Sequence, residues 1–293
     1  MSTANNFTGS PIAIHLRKSL ETGFEEDIGF GDITSLSVLP SADTDGDFIA
    51  KADGVISGIG ALTLGYEMLD PTVSVTLFVN DGDIVKKGDR LAHVEGAVQS
   101  LLTGERVILN ILQHMSGIAT KTAEMVNELA GSDTRVCDTR KTLPGLRALQ
   151  KYAVCCGGGF NHRMRLDDGI MIKDNHITAA GSITNAVKLA RQHAGLMVKV
   201  EVECETESQV KEAVDAGADI IMLDNQTPES AKALCESIPD RVIVELSGGI
   251  TPGTIGTFKN CGAHYISTGS VTHSVTALDI SFVLSGTIKN VDR

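Results

Sequence analysis

From Arg135 onward the chain alternates short β-branched runs with helical stretches, and this alternation constrains the fold more than any other feature. The runs are RVCD, GIMIK, LMVKVEVE, DIIMLD, RVIVELS and HYISTG, and helical patterns fall between them at 182–194, 206–216, 228–237 and 252–260. Short strands separated by helices build parallel β/α units. Six units in roughly 150 residues are too few for a full eightfold barrel, which needs about 250. A doubly wound sheet is the competing architecture. Two features favour barrel-like closure. The runs end on Asp138, Lys173, Glu203, Asp224, Ser247 and Gly269, and barrel enzymes place their chemistry where such strand ends converge. The last two runs lead into SGG and TGS, the position at which barrels commonly hold a phosphate. The expected fold class is α/β: an incomplete (open) β/α barrel with an N-terminal α+β sandwich-like domain. The expected boundaries are 1–117 for the N-terminal domain and 118–274 for the barrel, with segment 275–293 able to return to the first.

The N-terminal part has a different grammar. Ile12, Leu16, Leu20 and Phe24 recur every four residues, a helical stripe. EEDIGFGDITS reads as a turn-rich loop, and residues 46–96 as β runs broken by Asp-Gly and Lys-Gly turns. The rhythm around Lys86-Lys87 resembles a lipoyl or biotinyl carrier hairpin but lacks the flanking Met of the modified lysine, so it reads as scaffold. Ile108, Ile111, Leu112, Met115, Ile118 and Ala119 mark a long helix over 104–130, with Ser116-Gly117 a candidate break.

Charge decides which ligands to expect. A formal net charge of −12 argues against a nucleic-acid or anionic-membrane partner. Yet between Arg135 and Lys173 stand eight Lys or Arg against three acids, so an acidic chain concentrates its cations in one stretch. That is the pattern of an anion site. No apolar run is long enough to span a bilayer, and MSTANNFTGS shows no secretory signal. The six cysteines form no CxxC pair and read as reduced, buried thiols of a cytoplasmic protein.

The stretch itself suggests chemistry. In DTRKTLPGLR, Arg140 offers a planar fork suited to a carboxylate or phosphate, and Lys141 adds a point charge beside it. GGGFNHRMRLDDGIMIKDNH supplies three glycines for close backbone approach, then His162, Arg163 and, at a strand end, Lys173. Glu203 and Asp224 suit Mg²⁺ or sugar hydroxyls. Glu201 shares Glu203's parity, which leaves open the acid that points inward. Ser247, Gly248, Gly249, Gly269 and Ser270 suit a phosphate. Walker, dinucleotide and Ser/His/Asp patterns are absent. The inventory points to substitution at a phosphorylated sugar.

These motifs, together with GERVILNILQHMSGIAT and EEDIGFGDITS, resemble the quinolinate phosphoribosyltransferase family from about residue 20 to 280. The resemblance implies transfer of phosphoribosyl from phosphoribosyl pyrophosphate to quinolinate with Mg²⁺. The products are nicotinate mononucleotide, pyrophosphate and CO₂, a step of de novo NAD biosynthesis. It also implies quinolinate contacts from Arg140, Lys141, His162, Arg163, Lys173 and a neighbouring subunit's Arg106. Catalytic roles are implied for Lys141, Lys173, Glu203 and Asp224, with the last two near ribose and Mg²⁺. Ser247, Gly248, Gly249, Gly269 and Ser270 fall on the phosphate-holding ends. A homodimer with shared sites follows, and assembly into hexamers stays open. Cys155 and Arg165 depart from the family pattern. The alternatives are a nicotinate-type transferase, an aldolase with Lys173 as Schiff-base lysine, and a non-catalytic metabolite sensor.

Overall fold

The computed structural model describes residues 11–286 and 289–290; the first ten residues, where no secretory signal is expected, lie outside them. The stripe predicted near the N-terminus is α1 (Pro11–Ile28), whose Leu16, Leu20 and Phe24 are buried. The loop expected after it contains a short helix, α2 (Ile33–Val38), because the Asp32 side chain accepts from the Thr34 and Ser35 amides and caps it.

Next come β1 (Ala42–Ala50), β2 (Gly54–Val55), α3 (Gly60–Leu69), β3 (Ser74–Leu77), β4 (Ile84–Val85), β5 (Arg90–Ala97) and α4 (Val98–Glu128). β1 alternates buried and half-buried residues, the period of a strand with one face on a core. On the covered face Phe48 meets Tyr66 of α3 edge to face, with ring centroids 6.5 Å apart. The Tyr66 hydroxyl donates to Leu101 O of α4 at 3.0 Å. α4 does not break at Ser116-Gly117. Ser116 Oγ instead bonds the Ser57 backbone, and Gly117 lets Thr276 approach so closely that a Cβ would lie 2.2 Å from its carbonyl oxygen.

The remaining elements are β6 (Arg135–Cys137), α5 (Arg147–Cys156), β7 (Ile170–Ile172), α6 (Asp174–Ala180), α7 (Ile183–His193), β8 (Val200–Cys204), α8 (Glu207–Asp215), β9 (Ile220–Asp224), α9 (Pro228–Ser237), β10 (Ile243–Ser247), β11 (Tyr265–Ser267), α10 (Ser270–His273), β12 (Ile280–Leu284) and β13 (Lys289–Asn290). Each of the six predicted strand runs becomes a strand, and Ile255–Phe258 forms a single 3₁₀ turn. Thr206 and Thr227 cap α8 and α9, and Pro228 opens α9 at a position needing no N–H.

Two compact units result. The first takes in the described residues up to Thr120, Leu143–Gly158 and those from Val275 on. Its sheet runs β12-β1-β5-β3 in antiparallel order, with β13 also on β1. The second takes in Lys121–Thr142 and Gly159–Ser274. Its sheet is parallel in the order β6-β11-β10-β9-β8-β7, and Phe160 bridges Cys137 on β6. Segment 143–158, expected inside the barrel domain, belongs by its contacts to the first unit. Its α5 buries Leu149, Ala153 and Val154, and Tyr152 donates to Asp81 Oδ2 at 2.8 Å.

Among the described residues no helix is long and apolar enough to cross a membrane. The cysteines are free, but only Cys137, Cys204 and Cys261 are buried. Cys155 is exposed at the end of α5, which corrects the expectation of uniformly buried thiols.

Candidate active site

The parallel strands of the second unit deliver their C-terminal ends to one place. A cavity of about 490 Å³ there is lined by Arg140, Lys141, His162, Arg163, Lys173, Glu203, Asp224, Ser247, Gly248 and Gly249, with Thr139, Met171, Met222, Asn225 and Ser267 between them. The volume is within the range of small-molecule sites. Strand register explains the gathering. Ser247 of β10 stands beside Asp224 of β9, and Glu203 of β8 beside Met222 of β9.

Depth along β8 separates Glu201 from Glu203. Both acids point to the same side of β8 but in successive layers. Glu203, at the cavity, holds Lys173 with Oε2 2.5 Å from Nζ. Glu201, one layer deeper, is buried and lies 3.2 Å from Nε2 of His162. Glu245 of β10, one layer below Ser247, is also buried and reaches the same nitrogen at 3.3 Å. Burial pushes the His162 pKa down, but hydrogen bonds and charge from the two carboxylates outweigh it and raise it to about 10. Two acids therefore hold the ring at Nε2, while its Nδ1 accepts from the Arg163 amide at 2.7 Å. Both ring nitrogens of this His–Glu–Glu cluster are thus engaged within the protein.

The other cations are differently placed. Arg140 has a buried Nε without a hydrogen-bond partner. Arg163 donates to Gly169 O at 2.8 Å, and its pKa is lowered by burial and then by the charge of Arg140. Two arginines that repel each other, one with an unmet buried donor, need an anion between them. Opposite them, the Asp224 carboxyl is pushed up by burial and then by the charge of Glu203. A pair of hard carboxylate oxygens at this spot suits a divalent cation such as Mg²⁺.

The glycine ends behave as two groups. Gly248 and Gly249 have φ of +90° and +64°, and a Cβ on Gly248 would fall 2.3 Å from Asn225 Oδ1. Asn225 is itself left-handed, with φ 54°. The two strand ends thus fold against each other in a way that only glycine allows at 248. Gly269 and Ser270, expected to line the phosphate site, do not line the cavity. Ser270 bonds Thr268, and Gly269 packs on the Lys141 stem, where a Cβ would come within 2.7 Å of Cδ.

With this geometry in place, comparison with known proteins identifies the family. The family model for the N-terminal domain of quinolinate phosphoribosyl transferase matches residues 32–116, and that for its C-terminal domain matches 118–283. The chain belongs to the quinolinate phosphoribosyltransferase family. It is 48% identical over 280 residues to a probable carboxylating nicotinate-nucleotide pyrophosphorylase of Bacillus subtilis, covering 96% of this chain and 97% of that protein. A mitochondrial decarboxylating quinolinate phosphoribosyltransferase of Nicotiana tabacum is 41% identical, with 91% and 81% covered. The crystal structure of NadC from Streptococcus pyogenes superposes with a TM-score of 0.90 at 40% identity, covering 96% of this chain and 99% of that one.

Within this phosphoribosyltransferase, Arg106 stands exposed on α4 in the first unit, in a groove with Asp27, Gly31, Asp32 and Thr103, and is not among the cavity residues. Cys155 lies in the first unit and Arg165 is exposed beside the cavity loop. Sequence reasoning missed Glu245. The signal was available in its two-residue offset from Ser247, but a lone acid in IVELS does not announce which partner it meets.

Proposed function

We propose that this chain transfers phosphoribosyl from phosphoribosyl pyrophosphate to quinolinate, with decarboxylation to nicotinate mononucleotide, as a step of NAD biosynthesis. The observation that carries the reading is the Arg140–Arg163 pair, mutually repelling and with a buried, unpartnered Nε. A ligand with two adjacent carboxylates answers that need, and stripping it from water requires several cations. Nicotinate, with one carboxylate, would leave part of the set uncompensated. Lys173 as a Schiff-base nucleophile fits poorly, since its Nζ is taken up by Glu203 Oε2 at 2.5 Å.

Arg140, Lys141, Arg163 and Lys173 would hold and orient quinolinate so that its ring nitrogen faces the anomeric carbon. The new C–N bond forms as the bond to pyrophosphate breaks, through an oxocarbenium-like state whose positive charge Glu203 and Asp224 stabilise. The bond from the ring to the carboxylate next to the nitrogen then breaks and CO₂ leaves. The electron pair stays on that ring carbon, stabilised by the adjacent cationic nitrogen, and takes up a proton from water to give nicotinate mononucleotide. Ser247, Gly248 and Gly249 would hold phosphate. Glu203 and Asp224 would hold Mg²⁺, which when bound neutralises charge on the leaving pyrophosphate.

A homodimer with shared sites, Arg106 entering from the neighbour, is supported by exposed Phe30, Ile33, Leu36 and Val38 in and beside α2. A cytoplasmic place of work is supported by six free cysteines. The test is turnover with phosphoribosyl pyrophosphate, Mg²⁺ and either acid. Quinolinate should release pyrophosphate and CO₂. Turnover of nicotinate alone would replace this reading with the nicotinate-type transferase.

A further inference from the structure

His162 occupies a segment without regular structure, yet three strands grip it. Its amide donates to Asp138 Oδ1 at 2.9 Å, just beyond β6. Its ring nitrogen Nε2 meets Glu201 of β8 at 3.2 Å and Glu245 of β10 at 3.3 Å. The next residue is Arg163, whose guanidinium is steadied by Gly169 O and the Met171 sulfur.

We propose that Glu245, with Glu201, is a positioning residue for quinolinate binding, acting through His162 to set Arg163 in place. This inference rests on the reading of the cavity as a dicarboxylate site. A purely architectural role does not explain the acids. Glu201 and Glu245 each keep one buried oxygen, Oε1, without a hydrogen-bond partner. Well-packed apolar residues replacing buried ion pairs are often neutral or stabilising. The neighbours in VEVEC and IVELS are apolar already. What apolar residues cannot do is hold the imidazole nitrogen from two strands at once. The ring's other nitrogen, Nδ1, accepts from the Arg163 amide at 2.7 Å, so the cluster holds the backbone from which the Arg163 guanidinium projects. Misplacing such a group by about 1 Å can cost up to a hundredfold.

The test compares Glu245→Leu, which removes charge and acceptor, with Glu245→Gln, which keeps an acceptor oxygen. Quinolinate and phosphoribosyl pyrophosphate are varied separately, quinolinate binding is also followed by calorimetry, and Tm is recorded. Glu245→Leu should raise the KM and Kd for quinolinate by about tenfold or more. The KM for phosphoribosyl pyrophosphate should stay within about twofold, and Tm should not fall. Glu245→Gln should restore quinolinate KM to within about threefold of the parent enzyme. An unchanged quinolinate KM in Glu245→Leu overturns the inference, as does a loss spread evenly over both substrates and Tm. If Glu245→Leu does not fold, Glu245→Met, close to glutamate in length and without an acceptor oxygen, takes its place, with the same selective rise expected and an unchanged KM overturning the idea. Parent enzyme that binds no quinolinate would overturn the functional reading itself, a result distinct from an inert Glu245.

Discussion

Gly248 shows how much of the site depends on what a residue lacks. With φ at +90° and Asn225 Oδ1 2.3 Å from where a Cβ would stand, alanine there meets backbone strain and a collision together. Gly248→Ala should raise the KM for phosphoribosyl pyrophosphate by about tenfold or more while changing quinolinate affinity little. Separate KM measurements check this, and an equal effect on both substrates would show that the SGG turn does not serve the phosphate side alone. The cations were legible as a group because they crowd one stretch of an acidic chain. His162's partners were not. Sequence could place Glu201 and Glu203 on one side of a strand, but the depth of each layer depends on how neighbouring strands stagger.

At the scale of elements, the β/α rhythm after Arg135 was the most readable part, because strand and helix periods differ. The helix α5 and its allegiance to the first unit were not readable, since tertiary contacts decide them. Ser116-Gly117 looked like a break because Ser and Gly weaken helices locally; here both serve close backbone approach instead. Element ends also carry a pH prediction. Asp219 accepts from the Val200 amide at 2.7 Å and pairs with Arg191 at 2.8 Å. Burial raises its pKa, but these hydrogen bonds and the Arg191 charge outweigh it, and the net shift is downward. A depressed folded pKa contributes stability above the unfolded value, lost as pH falls through the folded one. Asp219→Asn should lower Tm at pH 7, and its difference from the parent should shrink as pH drops below about 4. A Tm difference independent of pH would remove the charge from the explanation.

At the scale of the whole molecule, the proposed shared site makes a prediction no single subunit can satisfy. Arg106→Ala and Arg140→Ala proteins, each impaired alone, should regain part of their activity when mixed and allowed to exchange subunits. About a quarter of parent activity is the ceiling if one native site forms per hybrid dimer and half of the dimers are hybrid. No recovery, with exchange confirmed by mass, would place Arg106 outside a shared site.

The central claim is that one cavity both forms the C–N bond and releases the carboxylate beside the ring nitrogen. Quinolinate carrying ¹³C only in that carboxyl, incubated with phosphoribosyl pyrophosphate and Mg²⁺, measures it most directly. The account predicts that the label leaves as CO₂ in step with pyrophosphate, and that the nucleotide product is unlabelled nicotinate mononucleotide. Label retained in the nucleotide, or pyrophosphate released without CO₂, would contradict it.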